Sequence, residues 1–381
     1  MKQPLISNTL ARKLISRHGS PLYVYRKSIV QKRFLALKKA ISYPMARICY
    51  AMKANANSEL LGYLNSLGSS VECVSRGEVK RAFEAGFSSG QISYTCSNIP
   101  KEELEWLIKN GISVHLDSLN QVEWWGQIKP GSKISVRLNL GYGQGGHAYL
   151  ITGGDDSKFG IFHKQIPELM RLTTKHNLKI KGILQHIGTH IANPNALLRG
   201  MKLVFTIAKQ FPDLEFLDFG GGFNTPYTPN EKPIDIHTIG GKMSDSFAAF
   251  CKTYGCELEL RIEPGRYIVA DSGALLAPIV DIKQTGKRTF VGINTGFSHL
   301  LRPALYGSYH HIFNISNPNG QTEKVSVVGN ICESADVFAQ NRPLPKARLG
   351  DLLLIADAGA YGYSMASDYN LRAKPKEVVI E

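Results

Sequence analysis

The residues best suited to chemistry in this 381-residue sequence sit where short apolar runs end. Lys53 closes the run Cys49-Tyr50-Ala51-Met52. Partial desolvation of a lysine at such a place lowers its proton affinity and frees an amine that can form a Schiff base with a carbonyl. The competing reading is a lysine that snorkels from a strand end. Gly220-Gly221-Gly222 follows Leu217-Asp218-Phe219. Three residues without Cβ can turn backbone N–H groups toward an anion, although flexible turns use the same composition. Glu263-Pro264-Gly265-Arg266 sets a carboxylate at the end of another run and a guanidinium just past a tight turn. The carboxylate suits a protonated ring nitrogen, the guanidinium a phosphate or carboxylate, and the two also suit one another as an ion pair.

His186 and His190 stand four apart in Gln185-His186-Ile187-Gly188-Thr189-His190. Gly188 between them argues against the helix that would align them, so no metal site is expected. Later in the chain, Cys332-Glu333 places a thiol that can give up a proton beside a carboxylate. Arg302-Pro303-Ala304-Leu305-Tyr306 and Gly359-Ala360-Tyr361-Gly362 add an arginine and two tyrosines at turns. Taken singly, a buried structural cysteine and ordinary surface turns explain these three segments as well.

The elements that must position these groups follow from periodicity. Eight runs read as buried parallel strands: 47–53, 70–74, 91–95, 112–116, 133–138, 180–186, 215–219 and 257–263. Helical patterns separate them, at 58–67 (with Ser58 as its cap), 77–85, 101–109, 119–127, 164–176, 195–210 and 244–254. Eight strands alternating with helices predict an α/β fold, a (β/α)8 TIM-like barrel, with an open doubly wound sheet as the alternative. Lys53, His186, the glycine triplet and Glu263 would then all lie at the C-terminal ends of strands, the face where barrel active sites form. Beyond Gly273 the texture changes to strands at 275–283, 288–292, 324–328 and 351–355 with Gly, Pro and Asn between them. The early run Pro21–Arg26 suits the same sheet. The expected domains are a barrel over 28–275 and a β-rich C-terminal domain made of 1–27 plus 276–381.

Composition excludes several classes. Hydrophobic residues make up 43% and charged residues 20%, which suits a folded chain rather than a disordered one. No apolar run reaches the roughly 18–20 residues that span a bilayer, and MKQPLISNTLARKL lacks the apolar core of a secretory signal. The six cysteines include no Cys-x-x-Cys pair and read as reduced thiols, so a cytoplasmic setting is expected. Forty-five Lys+Arg against 31 Asp+Glu give a net charge of +14. The basic residues are scattered, without a block of five or a nucleic-acid motif, so they read as a solvated surface and no nucleic-acid partner is expected.

Together the motifs resemble the fold-type III PLP-dependent decarboxylases, over the stretch from Pro21 to the end. The match rests on Tyr50-Ala51-Met52-Lys53-Ala54-Asn55 with Leu60, Leu61, Leu64 and Gly68, then HIGT at 186–189, GGG at 220–222, EPGR at 263–266, RPALYGSYHH at 302–311, CESAD at 332–336 and GAYGYSMASDYN at 359–370. Within that family the sequence is most similar to the branch that acts on meso-2,6-diaminopimelate. The resemblance implies a PLP-binding barrel joined to a β-domain, pyridoxal 5′-phosphate held by Lys53, and His186 stacked on its ring. It implies phosphate contacts from Gly220, Gly221, Gly222, Gly265 and Arg266, a ring-nitrogen contact from Glu263, and Tyr361 at the cofactor. Arg266, Arg302, Tyr306, Glu333 and Tyr361 match substrate-binding positions. Cys332 matches a proton donor that crosses the interface of a homodimer with shared active sites. Thr189, Ala335 and Leu371 depart from the usual pattern and bear on substrate choice. Other amino-acid decarboxylases share this frame, and non-catalytic PLP carriers share its barrel.

Overall fold

The computed structural model describes residues 3–191 and 193–381, which form two compact units. One contains Arg33–Thr225 and Pro233–Tyr267; the other contains 1–32, Pro226–Lys232 and Ile268–Glu381.

The first unit is a closed barrel. Its eight strands are Ala46–Ala51, Ser70–Cys73, Ile92–Tyr94, Ser113–Leu116, Lys133–Asn139, Lys179–Leu184, Phe216–Asp218 and Glu259–Ile262. Each pairs in parallel with the next, and the last returns to the first through Leu260–Ala46, Arg261–Arg47 and Ile262–Ile48. That closing pairing overturns the open doubly wound alternative. Helices follow the strands and bury one apolar stripe each, for example Leu60, Leu61 and Leu64 on Ser58–Ser66.

Local chemistry sets the element ends. Ser75 and Ser118 accept hydrogen bonds from the N–H groups of Glu78 and Gln121 and start their helices. The cap expected at Ser58 belongs to Asn57, whose side chain accepts from Glu59 and Leu60 N–H. Ser58 is already the first helical residue. The helix expected from residue 244 begins at Ile236, capped by Asp235. Gly240 and Gly241 break its apolar pattern in the sequence. Gly240 is there for contact, since a Cβ would lie 2.7 Å from the Ala40 backbone. The first strand ends at Ala51, and Lys53 lies on a 3-10 turn, Met52–Ala54, rather than on the strand itself.

The second unit is an eight-stranded sheet. Leu22–Arg26 pairs antiparallel with Gly273–Thr285 and parallel with Lys376–Ile380, so the start of the chain is built into the C-terminal sheet. Strands at Ile312–Asn314, Val337–Pro345 and Lys376–Ile380 join those expected from the pattern. In Val337–Pro345 the alternation is interrupted by Asn341, at positive φ, and by Pro343 and Pro345, and the other two strands are only three and five residues long. The core gathers Leu22, Val24, Leu276, Leu352 and Leu354, with the amphipathic helix Asn8–His18 laid against it through Ala11. Among the described residues, no helix is long and apolar enough to cross a membrane.

One barrel contact leaves no slack. Gly182 pairs with Phe216 across adjacent strands, and a Cβ on Gly182 would lie 2.1 Å from the phenyl ring. Replacing Gly182 with valine is expected to overpack the lumen and destabilise the chain by about 1–3 kcal/mol. Urea unfolding of the two proteins measures this; equal midpoints would show that Phe216 has room to move.

Candidate active site

Strand alternation sends every second side chain into the barrel. Here that rule buries ionisable groups: Glu72, His115, Arg137 and Asp218 are buried inside short apolar runs, and Asp117 just beyond one. The expected site residues lie around them. Lys53 extends from the turn after the first strand and donates to Glu72 Oε2 at 2.5 Å. The lysine side chain is 37% exposed and the glutamate 1%. Arg137 lies 3.7 Å from Asp117, which also accepts from the Gly160 N–H and the Ser97 hydroxyl. Its guanidinium covers the Phe159 ring at 4.6 Å.

His186 and the glycine triplet form one piece of structure. The Gly221 N–H donates to His186 Nδ1 at 3.2 Å, which puts the proton of a neutral ring on Nε2. Burial, with the nearby Arg137 and Lys53 charges, holds that ring neutral by pushing its proton affinity well below the usual histidine range. Gly220 has φ +64°, and a Cβ there would meet His186 Nδ1 at 2.5 Å. Gly222 has φ +106°, with Gly188 O and Ile191 on the side a Cβ would fill. The triplet is therefore fixed by position as well as by flexibility. The Gly220 N–H donates to Asp218 Oδ1 at 2.9 Å, and the Glu263 N–H donates to Gly220 O at 2.7 Å. Pro264 O accepts from the Ala51 N–H, and Gly265 lies close to Ala51 and Ala54, beside the turn that carries Lys53. Arg266 is buried at the start of the short helix Arg266–Val269.

Glu263 is buried, and its Oε1 meets no hydrogen-bond partner. Asp218 Oδ2 and both ring nitrogens of His115 share that condition. Donor and acceptor atoms of the three residues lie within 4.8 Å of one another. Burial dominates their titration. It raises Glu263 well above the carboxylate range, with Asp218 and Glu72 adding to the effect. It raises Asp218 to about 7 against the stabilising Gly220 N–H. It lowers His115 to about 3, helped by Arg261, Arg137 and Lys181. The Phe216 ring meets His115 edge-on at 5.7 Å and carries the Arg261 guanidinium on its face at 3.5 Å.

The remaining expected residues belong to the other compact unit. Arg302 is buried there, with its guanidinium 4.3 Å over the Tyr227 ring. Its Nη2 donates to Ser308 Oγ, and its Nη1 lies 3.3 Å from His310 Nε2. His310 Nδ1 is 2.8 Å from Ala356 O, so Nδ1 carries the proton and Nε2 accepts from the arginine. Arg302 begins and Tyr306 ends the short helix Arg302–Tyr306. Cys332 and Glu333 are exposed on a loop. Asp336 ties that loop down by accepting from the Ile331 and Phe297 N–H groups. Asn370 Oδ1 accepts from the Cys332 N–H, and Tyr369 donates to Glu333 Oε1 at 2.7 Å. Tyr361 takes positive φ at +55°.

Glu72, His115, Arg137 and Asp218 were not among the residues singled out from the sequence. Their signal is an ionisable side chain at an inward position of a run such as SVECV, ISVHL, KISVRL or EFLDF.

Residues 27–270 match the family model of the pyridoxal-dependent decarboxylases, pyridoxal binding domain. The whole chain is similar to the diaminopimelate decarboxylase of Methanothermobacter thermautotrophicus, 39% identical over 99% of this chain and 90% of that one. The Escherichia coli K12 diaminopimelate decarboxylase is 34% identical over 97% and 90%. This chain belongs to the diaminopimelate decarboxylase family of pyridoxal-dependent decarboxylases. Family members of known structure share its architecture. The Helicobacter pylori diaminopimelate decarboxylase complexed with L-lysine superposes with a TM-score of 0.90 at 32% identity, covering 97% of this chain and 94% of that one. As in the rest of the family, the cofactor is pyridoxal phosphate.

The buried carboxyls set a pH dependence. Asp218, raised to about 7 from its ordinary 3.8, keeps a proton in the folded chain that the unfolded chain releases above about pH 4. Its stabilising contribution is complete below about pH 4 and is lost as pH rises through about 7. The cofactor-free protein should lose stability across that window. Asp218→Asn, neutral and of the same shape, should lose less. Urea midpoints measured across the window test this, and parallel curves for the two proteins would refute it.

Proposed function

We propose that this chain decarboxylates meso-2,6-diaminopimelate to L-lysine and CO2, the last step of lysine synthesis, as a cytoplasmic homodimer with shared active sites. The observation that carries the assignment to the barrel is the buried Glu263 Oε1, without a partner, beside a glycine cradle that has no room for a Cβ. An isolated buried carboxyl is costly unless a ligand group meets it.

The residues present fit pyridoxal phosphate. Lys53 offers the amine that holds the aldehyde carbon. Gly222 and Gly265 offer backbone N–H groups and Arg266 a guanidinium to the phosphate, while Gly220 and Gly221, whose own N–H groups are taken by Asp218 and His186, shape the cradle without a Cβ. His186, neutral and fixed by the Gly221 N–H, offers a flat face to the ring. Tyr361 is assigned to the cofactor's surroundings. Bound there, the cofactor supplies an electron sink for the pair left on Cα when the bond to the carboxylate breaks.

The chain's own groups do the rest. Glu263, with its proton affinity raised by burial, would hold a proton between its carboxyl and the pyridine nitrogen and so favour the ring's electron-withdrawing form. Asp218 and His115 beside it bring no positive charge, and Lys53 and Arg137 offset its burial only in part. Glu72 anchors Lys53 Nζ and holds it near the mouth. Cys332, on an exposed loop pinned by Asn370 and Asp336, gives the thiol proton to Cα, acting from the partner copy. The end of the substrate that does not react carries both an ammonium and a carboxylate. Glu333 takes the ammonium; Arg302 and Arg266 take the carboxylate, with Tyr306 and Tyr361 beside them. The Tyr227 and His310 contacts fix the Arg302 guanidinium plane, so a lysine at that position would not replace it.

Three measurements test the assignment. Borohydride reduction of the loaded enzyme should fix the cofactor to a peptide containing Lys53, and label on another lysine would refute that role. Mixed chains of Lys53→Ala and Cys332→Ala should regain activity that neither has alone, and no recovery after verified subunit exchange would refute the shared site. Arg302→Ala should lower kcat/KM on meso-diaminopimelate at least about a hundredfold, since truncating one member of a buried charged contact costs about 3–5 kcal/mol. Faster CO2 release from ornithine or lysine by the wild-type enzyme would overturn the substrate and leave the decarboxylase chemistry standing.

A further inference from the structure

The end of the barrel opposite Lys53 holds a cavity of about 320 Å³ around the first residues of the strands. Arg47, Lys129, Lys133, Lys181 and Arg261 line it, and no carboxylate does. Glu259 is shared by two of these cations, accepting from Arg47 Nε at 2.5 Å and from Arg261 Nε at 2.6 Å. Glu215 pairs with Lys133 at 2.5 Å. The five lining cations thus make ion pairs with two carboxylates, nearby Asp213 being paired with Lys179, and among the described residues neither Lys129 nor Lys181 has an ion-pair partner.

Lys181 is the telling residue. It is half-buried on the sixth strand, and its proton affinity falls through burial, which Glu215 offsets only in part. Arg261, Lys133 and Lys129 push it down further. Like charges crowded into a low-dielectric cleft raise the local positive potential and attract anions. The strand ends add to this. Ser70 and Ser113 begin the second and fourth strands and add polar side chains to the lining. A barrel floor that served only to close the lumen would match its charges or fill the space with apolar side chains. The volume lies at the lower end of small-molecule sites, roughly 300–1,000 Å³.

We propose that this basal cavity binds a compact multivalent oxyanion, a polycarboxylate or a polyphosphate, separately from the cofactor at the other mouth of the barrel. The site needs neither the substrate assignment nor the residue roles given above.

Calorimetric titration of the cofactor-loaded enzyme at low ionic strength tests the proposal, with citrate in one arm and tripolyphosphate in the other. Loading keeps the cofactor's own phosphate cradle filled, and the cofactor absorbance reports any displacement. Saturable binding, one site per chain, with the absorbance unchanged is expected for at least one probe, and the arm that binds more tightly names the ligand class. Lys129→Ala/Lys181→Ala should weaken that binding at least about tenfold. Lys202→Ala/Lys252→Ala removes the same charge from exposed positions on two outer helices and should change it by no more than about twofold. Lys181→Ala should also melt higher than wild type without the probe, because it relieves the crowding, and this reading shows that the variant folds. Three outcomes overturn the proposal: no saturable binding of either probe, equal weakening in the two double variants, or loss of cofactor absorbance as the probe binds.

Discussion

Desolvation of charge inside the closed barrel is the constraint on which the site depends. Eight parallel strands turn alternate residues into a lumen that most barrels fill with branched apolar side chains. In this chain the inward set includes Glu72, His115, Arg137, Asp218, Arg261 and Glu263, most of them almost wholly buried. Each resists its charged form unless a partner compensates it. Some are compensated within the protein, as Glu72 is by Lys53 and Asp117 by Arg137 and the Gly160 N–H. Others are not, and Glu263, Asp218 and His115 keep polar atoms without a partner. A barrel interior left unsatisfied in this way is held in reserve for a ligand.

The backbone around the site is shaped by the same economy of space. Gly220, Gly221 and Gly222 lie where a Cβ would collide with His186, Glu263 O or Ile191. Their N–H and C=O groups bond to Asp218, His186, Glu263 and Ile191, tying the ends of the last three strands together. The Gly221 N–H also selects the tautomer of His186, so one hydrogen bond decides both where the ring lies and which nitrogen carries its proton. The turn bearing Lys53 is locked to the Glu263–Gly265 segment by the Ala51–Pro264 hydrogen bond and by the tight approach of Gly265.

The second unit meets a different demand, because its functional candidates come from loops. Arg302 is held on three sides by Tyr227, His310 and Ser308, a rigid mounting for a long side chain. The Cys332–Glu333 loop is exposed but anchored by Asp336, Asn370 and Tyr369. Burial raises the thiols of Cys49 and Cys73 and leaves them inert, whereas Cys332 faces solvent. Strand Leu22–Arg26 sits between the Gly273–Thr285 and Lys376–Ile380 strands, so the sheet cannot be completed until both ends of the chain are present.

Much of this was legible in the sequence, and for a definite reason. Apolar runs of five to seven residues separated by helical periodicity specify buried parallel strands, because only that arrangement hides both faces of each run. The position of Lys53, His186 and Glu263 at the ends of those runs, and of Gly220–Gly222 just past one, followed from the same pattern, as did the residue types suited to an amine, an anion cradle and a ring-nitrogen contact. Pairing decided the rest. Barrel closure rests on the Leu260–Ala46 register, which no local pattern encodes. The Lys53–Glu72 ion pair, the Asp218–His115–Glu263 cluster and the Arg302–Tyr227–His310 stack join residues from separate elements. Residue type fixes what a carboxyl can do in water. Whether it is ionised, partnered or left waiting inside a barrel depends on distance and burial, and only the folded chain sets those.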